Sequence, residues 1–239
     1  MAAAGMKEKQ GKTGDGSSAS GERVLEQKQP GLYTVIWHPI GGQPRPETLA
    51  SLGELMQSID GTELRLAPDE TAYIINLTGA EAEKILEATK ETAQTKFETS
   101  VSCIGASICQ VGARDSQALL QACVKAVGEA QIPDGALPQI HISGCPSSCG
   151  THQTGPMGFR GGVRMADGKA QPAFVFYLGG NEVQGKETMG REFGTMFESE
   201  IPSFLVKLGK EIAARGLDFE SYRTQYPDGI EKAAAEYLA

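Results

Sequence analysis

Two pairs of cysteines are the residues of this chain best suited to chemistry. Five residues separate Cys103 from Cys109, three separate Cys145 from Cys149, and residues 110–144 lie between the pairs. Each pair follows a predicted strand and lies in a loop containing glycine or proline. In a reducing compartment, paired cysteines indicate metal binding or redox chemistry. Small neighbouring residues let backbone N–H groups approach the sulfurs, which favours a buried iron–sulfur cluster.

Zinc and disulfides are the alternatives to a cluster. Zinc knuckles usually place roughly two to four residues between cysteines, so the second pair suits zinc but the first is wide. A four-iron cube is larger and tolerates wider loops. Two disulfides suit a cytoplasmic chain poorly. The fifth cysteine, Cys123, lies on the apolar face of a predicted helix, where a buried thiol acts as a small hydrophobe.

Composition and charge exclude several classes of function. The net charge is −8, with 22 basic and 30 acidic residues, which argues against broad nucleic-acid binding. No apolar run reaches the roughly 18 residues that a membrane span requires. The N-terminus lacks the apolar stretch of a secretory signal. The expected location is therefore the cytoplasm.

The predicted fold class is α+β, in two units that follow a polar leader. Residues 1–29 have few large apolar side chains, so we expect a disordered leader or linker. Residues 30–95 form a small β-α-β-β-α half-domain, and residues 96–239 form a larger α+β domain. The first unit's predicted elements are a strand at 32–37, a helix at 46–59, strands at 63–66 and 71–77, and a helix at 79–92.

The second unit contains the cysteines. Strands are predicted at the approach to each pair, with a hairpin after the second pair that turns at Asp167–Gly168. Its predicted elements are strands at 97–102 and 139–143, a hairpin of 158–165 and 173–178, helices at 115–130 and 200–215, and one or two further helices up to residue 238.

The sequence around the cysteines resembles the sirohaem-dependent nitrite and sulfite reductases. CIGASICQVGARDSQ and HISGCPSSCG carry the double spacing in its Gly-Cys-Pro context, and GFRGGVRM follows as a glycine-rich hairpin. Upstream, GLYTVIWHPIGG is similar to the ferredoxin-like half-domain that precedes the cluster domain in that family. The resemblance covers residues 30–239 and implies the C-terminal half of such an enzyme, a ferredoxin-like half-domain followed by a sirohaem/iron–sulfur domain.

The resemblance implies two coupled cofactors, a [4Fe–4S] cluster and sirohaem. Cys103, Cys109, Cys145 and Cys149 match the four cluster ligands, and Cys149 matches the thiolate that also bridges to the sirohaem iron. The implied reaction is a six-electron reduction, of nitrite to ammonia or of sulfite to sulfide. The implied electron donor is a carrier such as ferredoxin.

Basic residues near the cysteines are candidates to hold anions, because sirohaem carries many carboxylates and both substrates are anions. Arg114 and Arg160 are the candidate catalytic residues. Arg114, His152, Arg160 and Arg164 are the candidate cofactor-binding residues. The alternatives are solvated arginines in surface ion pairs and a loop histidine satisfied by the backbone. His38 and His141 are interpreted as structural.

The chain departs from the family in having one copy of a unit that most members have twice. Many of the basic residues that hold sirohaem and substrate there belong to the first copy. The chain is therefore a compact single-copy reductase, a subunit that pairs with an N-terminal half or with itself, or a fragment. The other readings are a haem-free iron–sulfur electron-transfer or binding subunit, and a cluster-free or zinc-bound structural protein. The pair Ser147 and Ser148, together with the ARDSQ and GTHQ stretches, favours a ferredoxin-dependent nitrite-type enzyme over a sulfite-type one.

Overall fold

The computed structural model describes residues 11–238 as two compact units. The first unit runs to Pro39 and continues over Gln43–Thr92, and the second combines Ile40–Gly42 with the chain from Ala93 onward. Helices and strands occur in both units, which confirms the α+β class. Within residues 11–238, no helix is both long enough and apolar enough to cross a membrane.

The first unit is an antiparallel four-stranded sheet with two helices. Its sheet order is β1-β2-β4-β3, and its core includes Val35, Ile74, Leu77 and Ile85. Thr78 caps the second helix by accepting from Glu81 N, while the Glu81 carboxylate accepts from Thr78 N. The elements are β1 Val24–Glu26, β2 Tyr33–Trp37, α1 Pro46–Gln57, β3 Glu63–Leu66, β4 Ala72–Leu77 and α2 Gly79–Ala88.

The expected disordered leader needs correction over residues 11–29, while residues 1–10 lie outside the described part of the chain. Strand β1 pairs with β2, with Val24 opposite Val35. Arg23 donates to the carbonyl oxygens of Leu86 (3.0 Å) and Thr89 (2.9 Å) at the end of α2. These carbonyls have no partner inside the helix and favour a cation. Backbone pairing and helix-end contacts therefore order a segment that is too polar to form a core.

The second unit is a mixed five-stranded sheet. Strands β5, β6 and β7 run parallel, and β8 and β9 continue the sheet antiparallel, in the order β5-β6-β7-β8-β9. Its strands are β5 Val101–Ser102, β6 Ile140–Ser143, β7 Met157–Ala166, β8 Lys169–Leu178 and β9 Arg191–Phe197. Its α-helices are α3 Ser116–Glu129, α4 Ile201–Ala214, α5 Phe219–Gln225 and α6 Gly229–Ala234.

An aromatic core joins this sheet to helix α4. The ring of Phe176 lies 5.4 Å from that of Phe159 and 5.5 Å from that of Phe204, in tilted and edge-on arrangements that aromatic pairs favour. Leu120 and Cys123 of α3 are fully buried in the same cluster, so Cys123 packs as predicted. Since the core holds β6 and β7 from one side, the loops that leave these strands start from a fixed base.

Two local predictions differ from the structure. The segment predicted as a strand at 97–102 begins with a 3₁₀ turn, Phe97–Thr99, and only β5 is extended. The hydroxyl of Ser100 donates to Phe97 O and accepts from Ile140 N, so a side chain takes the place of ladder bonds. Strand β9 was not predicted, because Gly194 and charged residues interrupt its alternation and only Met196 is buried.

Candidate functional site

The two cysteine loops leave the sheet at the same edge. Strand β5 ends immediately before Cys103, and its parallel neighbour β6 ends two residues before Cys145. Because parallel strands end together, the chain positions after them start side by side. The pairing extends into the first loop, where Cys103 N donates to Ile142 O at 3.1 Å.

Hydrogen bonds at Gly144 join the first loop to the second. Its carbonyl accepts from the backbone N–H groups of Ala113 (3.0 Å) and Arg114 (2.9 Å). Its own N–H donates to Sγ of Cys103 at 3.1 Å. Within the first loop, Cys109 N donates to Gly105 O at 2.9 Å. The loop that carries Cys103 and Cys109 therefore folds back onto the loop that carries Cys145 and Cys149.

The backbone of Gly150, the residue after Cys149, packs closely against the end of β6 and against Cys103. A Cβ atom added at Gly150 would lie 2.0 Å from Ile142 O and 3.1 Å from Cys103 N. Only glycine leaves room for this approach. The N–H of Gly150 also donates to Ser143 Oγ at 3.1 Å, which anchors the residue after Cys149 to the end of β6.

All five cysteines are free thiols. Cys145 is buried, Cys103 and Cys109 are half-buried, and Cys149 is exposed. Hydrogen bonds from Ser147 lower the pKa of the Cys145 thiol, which favours the thiolate that binds metal. Besides Gly144 N, Sγ of Cys103 has Ser116 Oγ at 3.2 Å. Polar hydrogens thus already face two of the four sulfurs.

The donor set fits a four-iron cluster in its chemistry. Within residues 11–238, no three His, Cys, Asp or Glu side chains are grouped so as to hold a metal ion. A four-iron cube bonds each thiolate to a different iron, and its ligands therefore stand farther apart than those of one ion. Four free thiols from two hydrogen-bonded loops, with N–H and O–H groups near sulfur, are compatible with that larger object.

The three arginines predicted to bind anions differ in their surroundings. Arg114 lies against β7, since a Cβ at Gly161 would be 2.9 Å from Arg114 Cβ. Arg160 is half-buried on β7, where its Nε donates to Tyr177 Oη at 3.1 Å. Arg164 instead stacks over Phe197, at 4.3 Å from the ring centre, and donates to backbone carbonyls of β9 and the C-terminal segment. The structure thus brings Arg114 to the cysteine loops and gives Arg164 a packing role.

His152 is a fully buried imidazole without hydrogen-bond partners in the described structure. Neither Nδ1 nor Nε2 has one, although the ring lies 4.9 Å from that of Tyr177. Burial lowers the pKa of His152 to about 4, with further contributions from Arg160 and His141, so the ring is neutral. Because buried polar atoms are nearly always paired, a neutral donor–acceptor ring here is suited to a bound partner.

Three side chains at the site escaped sequence analysis. Ser116, Tyr177 and Glu182 lie 13 to 41 residues along the chain from the side chains that they contact, and no sequence spacing identifies them. Ser116 approaches Cys103, Tyr177 holds Arg160, and Glu182 lies 2.9 Å from His141. The alternation of β6 was the one available signal, since it separates His141 and Ser143 from the core residues Ile140 and Ile142.

Comparison with known proteins finds relatives among reductases. No family model matches the sequence. The chain is 27% identical over 186 residues to the ferredoxin–nitrite reductase of Leptolyngbya laminosa, which covers 75% of this chain and 35% of that enzyme. It is 24% identical over 161 residues to sulfite reductase (ferredoxin) 1 of Mycolicibacterium paratuberculosis, covering 63% and 29%. The fold is similar to that of the Mycobacterium tuberculosis NirA protein, with a TM-score of 0.64 at 22% identity, over 77% of this chain and 36% of that one.

The fold and the paired cysteine loops define an α+β protein that is similar to reductases. More particularly, the relatives it matches are nitrite and sulfite reductases, the family that the sequence around its cysteines resembles. Its curated relatives are enzymes, and the chain spans about a third of their length.

Proposed function

We propose that this chain is the cofactor-bearing part of a reductase that converts nitrite to ammonia or sulfite to sulfide. Cys103, Cys109, Cys145 and Cys149 would hold a [4Fe–4S] cluster, and Cys149 would also bind the iron of sirohaem. The observation that carries the proposal is the pair of free-thiol loops at the ends of β5 and β6, joined through Gly144, in a chain related to these reductases.

The chain's own residues would set the properties of the cluster. The iron–sulfur and tetrapyrrole groups supply the electron transfer and the iron that binds the anion. Gly144 N donates to Cys103 Sγ and stabilises negative charge on that sulfur. The Ser116 hydroxyl donates to Cys103 O but lies 3.2 Å from the same sulfur, and it can turn toward the sulfur once that atom is a thiolate, which only accepts. Ser147 does the same at Cys145. Cys149 is exposed, which leaves its sulfur accessible to a second iron.

The charge and position of four side chains suit them to bind anions. Arg114 lies beside both cysteine loops, and the guanidinium of Arg160 is oriented by Tyr177 and lies 3.5 Å from Glu192. A planar guanidinium binds carboxylates and small oxyanions through paired N–H groups. His152 would donate to a cofactor carboxylate. Arg164 is the weakest candidate of the four, because its guanidinium already stacks on Phe197 and donates to two backbone carbonyls.

Ferredoxin is the proposed electron donor, because the relatives' names specify it. The chain spans about a third of those relatives, so complete catalysis would require a further half, either a separate polypeptide or a second copy. The same partial span favours a second candidate function, an iron–sulfur electron-transfer subunit without haem. Both candidates require the cluster, and only the first requires sirohaem.

Anaerobic purification separates these functions. A chain with sirohaem and a cluster shows a Soret band and a red chlorin-type band. A chain with a cluster alone shows a broad brown shoulder, and a chain that lacks both groups is colourless. Each of the four cysteines is replaced by serine, and Cys123→Ala is the matched control because Cys123 is buried in α3 away from the loops. We expect the loop variants to lose iron and sulfide while the control retains both. Equal iron in all five variants would refute the ligand assignment.

Activity then distinguishes the substrates. Reduced methyl viologen is supplied to the purified chain with nitrite or with sulfite, and its oxidation is followed. Turnover of either anion identifies the reductase and its preference. A sirohaem-free, cluster-containing chain without turnover would establish the electron-transfer subunit instead.

A further inference from the structure

A buried histidine connects the Cys149 segment to the loop that follows β8. His141 lies in β6 and is 1% exposed. Its Nδ1 is 2.8 Å from Oγ1 of Thr151, two residues after Cys149. Its Nε2 is 2.9 Å from Oε1 of Glu182, whose side chain is about half exposed. The imidazole therefore lies between the cysteine loop and a carboxylate near the surface.

The backbone around Cys149 has an unfavourable conformation that needs external support. Ser148 has φ of 59° and Thr151 has φ of 50°, one on each side of the cysteine. Positive φ is uncommon for any residue with a side chain and is an outlier for a β-branched one such as threonine. Such conformations persist when surrounding contacts over-determine them. Ser148 Oγ donates to Gln153 Oε1, and the hydroxyl of Thr151 meets His141.

The ring of His141 is itself held in place by packing. A Cβ at Gly155 would lie 2.6 Å from Cδ2 of the ring, and a Cβ at Gly180 would lie 2.3 Å from Gly155 O. Two glycine backbones are therefore layered over the imidazole. The Glu182 carboxylate lies 2.9 Å from Nε2 but outside hydrogen-bond geometry, so only its charge favours the proton on Nε2; with the proton there, Nδ1 accepts from the Thr151 hydroxyl.

We propose that His141 is a positioning residue that, through Thr151, fixes the backbone presenting Sγ of Cys149. The importance of that sulfur rests on the proposed function. The positioning is nevertheless a property of the chain without any cofactor, so it can be measured separately. The interpretation of His141 as structural is thereby extended, because its target is the loop of a candidate ligand rather than the core.

The test compares Thr151→Val with Thr151→Ser. Valine keeps the branched shape and the strained backbone but lacks the hydroxyl, whereas serine keeps the hydroxyl. Amide hydrogen exchange is followed by NMR in the cluster-free chain, at the N–H of Gly150 and of residue 151, which are bonded to Ser143 Oγ and Ser148 O. Loss of one hydrogen bond should speed exchange at these two amides about fivefold to tenfold in the valine variant.

The serine variant should exchange at the wild-type rate, and amides within α3 should be unchanged in both. A second variant, Glu182→Gln, removes the charge beside Nε2 at an exposed position and should speed the same two amides less, about twofold. After cluster reconstitution, a chelator should remove iron from the valine variant about tenfold faster than from wild type.

Wild-type exchange at Gly150 and residue 151 in the valine variant would overturn the positioning role. So would equal acceleration in the serine variant, because the hydroxyl would then be irrelevant. If the two amides respond as expected but no chain assembles a cluster, the positioning stands and the proposed function fails.

Discussion

The close approach at Gly150 supplies the sharpest test of how the cysteine loops are assembled. In Gly150→Ala the new Cβ would lie 2.0 Å from Ile142 O, an atom of strand β6. An ordinary carbon–oxygen contact is about 3.3 Å, so the two backbones must separate by about 1.3 Å. Strand β6 is held between β5 and β7, and the movement therefore falls on the loop that carries Cys149.

The displacement has two measurable consequences. Overpacking of this kind costs about 1–3 kcal/mol of unfolding free energy, which corresponds to a lower Tm by roughly 2–12 °C in a chain of this size. Metal–ligand distances tolerate only about 0.2 Å, so a loop moved by more than that should fail to hold the cluster. We expect Gly150→Ala to fold with reduced stability and to contain little iron.

Gly128→Ala is the matched control. Gly128 lies in α3 of the same unit, and a Cβ there meets nothing within 4 Å. Alanine in a helix is favoured over glycine by about 0.8–1 kcal/mol, so this variant should be slightly more stable and keep its iron. Urea unfolding and iron analysis of both variants decide the matter. If Gly150→Ala matched wild type in both stability and iron content, the tight packing of the Cys149 loop would be wrong.

Three further predictions concern single side chains. His152 has a pKa lowered from 6.5 to about 4, so its neutral form stabilises the fold above pH 6.5, and urea unfolding should lose up to about 1.4 kcal/mol per pH unit as pH falls toward 4, a slope that His152→Gln reduces. Arg164→Lys loses the stacking on Phe197 and should cost about 1–2 kcal/mol at unchanged cofactor content, whereas loss of cofactor would assign Arg164 to the haem site. Ser116→Ala removes the hydroxyl beside Cys103 and should lower the cluster's midpoint potential with iron content retained, and an unmoved potential would contradict a tuning role.

Elements with strong local patterns could be predicted from the sequence. The hairpin of β7 and β8 turns at Asp167 and Gly168, whose φ values of 51° and 72° are those that Asp-Gly turns favour. Helix α3 follows from its apolar spacing and from Asp115, whose carboxylate accepts from Ala118 N as the helix begins. In both cases the information lies within a few residues along the chain.

The missed and misplaced elements depend on partners distant in sequence. β1 and β9 are edge strands, and few of their residues are buried. β1 is extended because its backbone pairs with that of β2, and Arg23, which precedes it, donates to carbonyls at the end of α2. Hydrophobic periodicity cannot detect such strands, since backbone hydrogen bonds rather than apolar burial hold them.

The sequence by itself predicted the donor set, because four cysteines in two spaced pairs indicate metal or redox chemistry and resemble the pattern of the nitrite and sulfite reductases. Only the tertiary structure decided how the pairs meet. The parallel pairing of β5 with β6 brings Gly144 to residues 113 and 114 and Gly150 to Cys103. It likewise decided that His141 contacts Thr151 and that Arg164 stacks on Phe197. The physical reason is that residue type and spacing act locally, whereas hydrogen bonds and close contacts between loops arise only when distant strands are joined in one sheet.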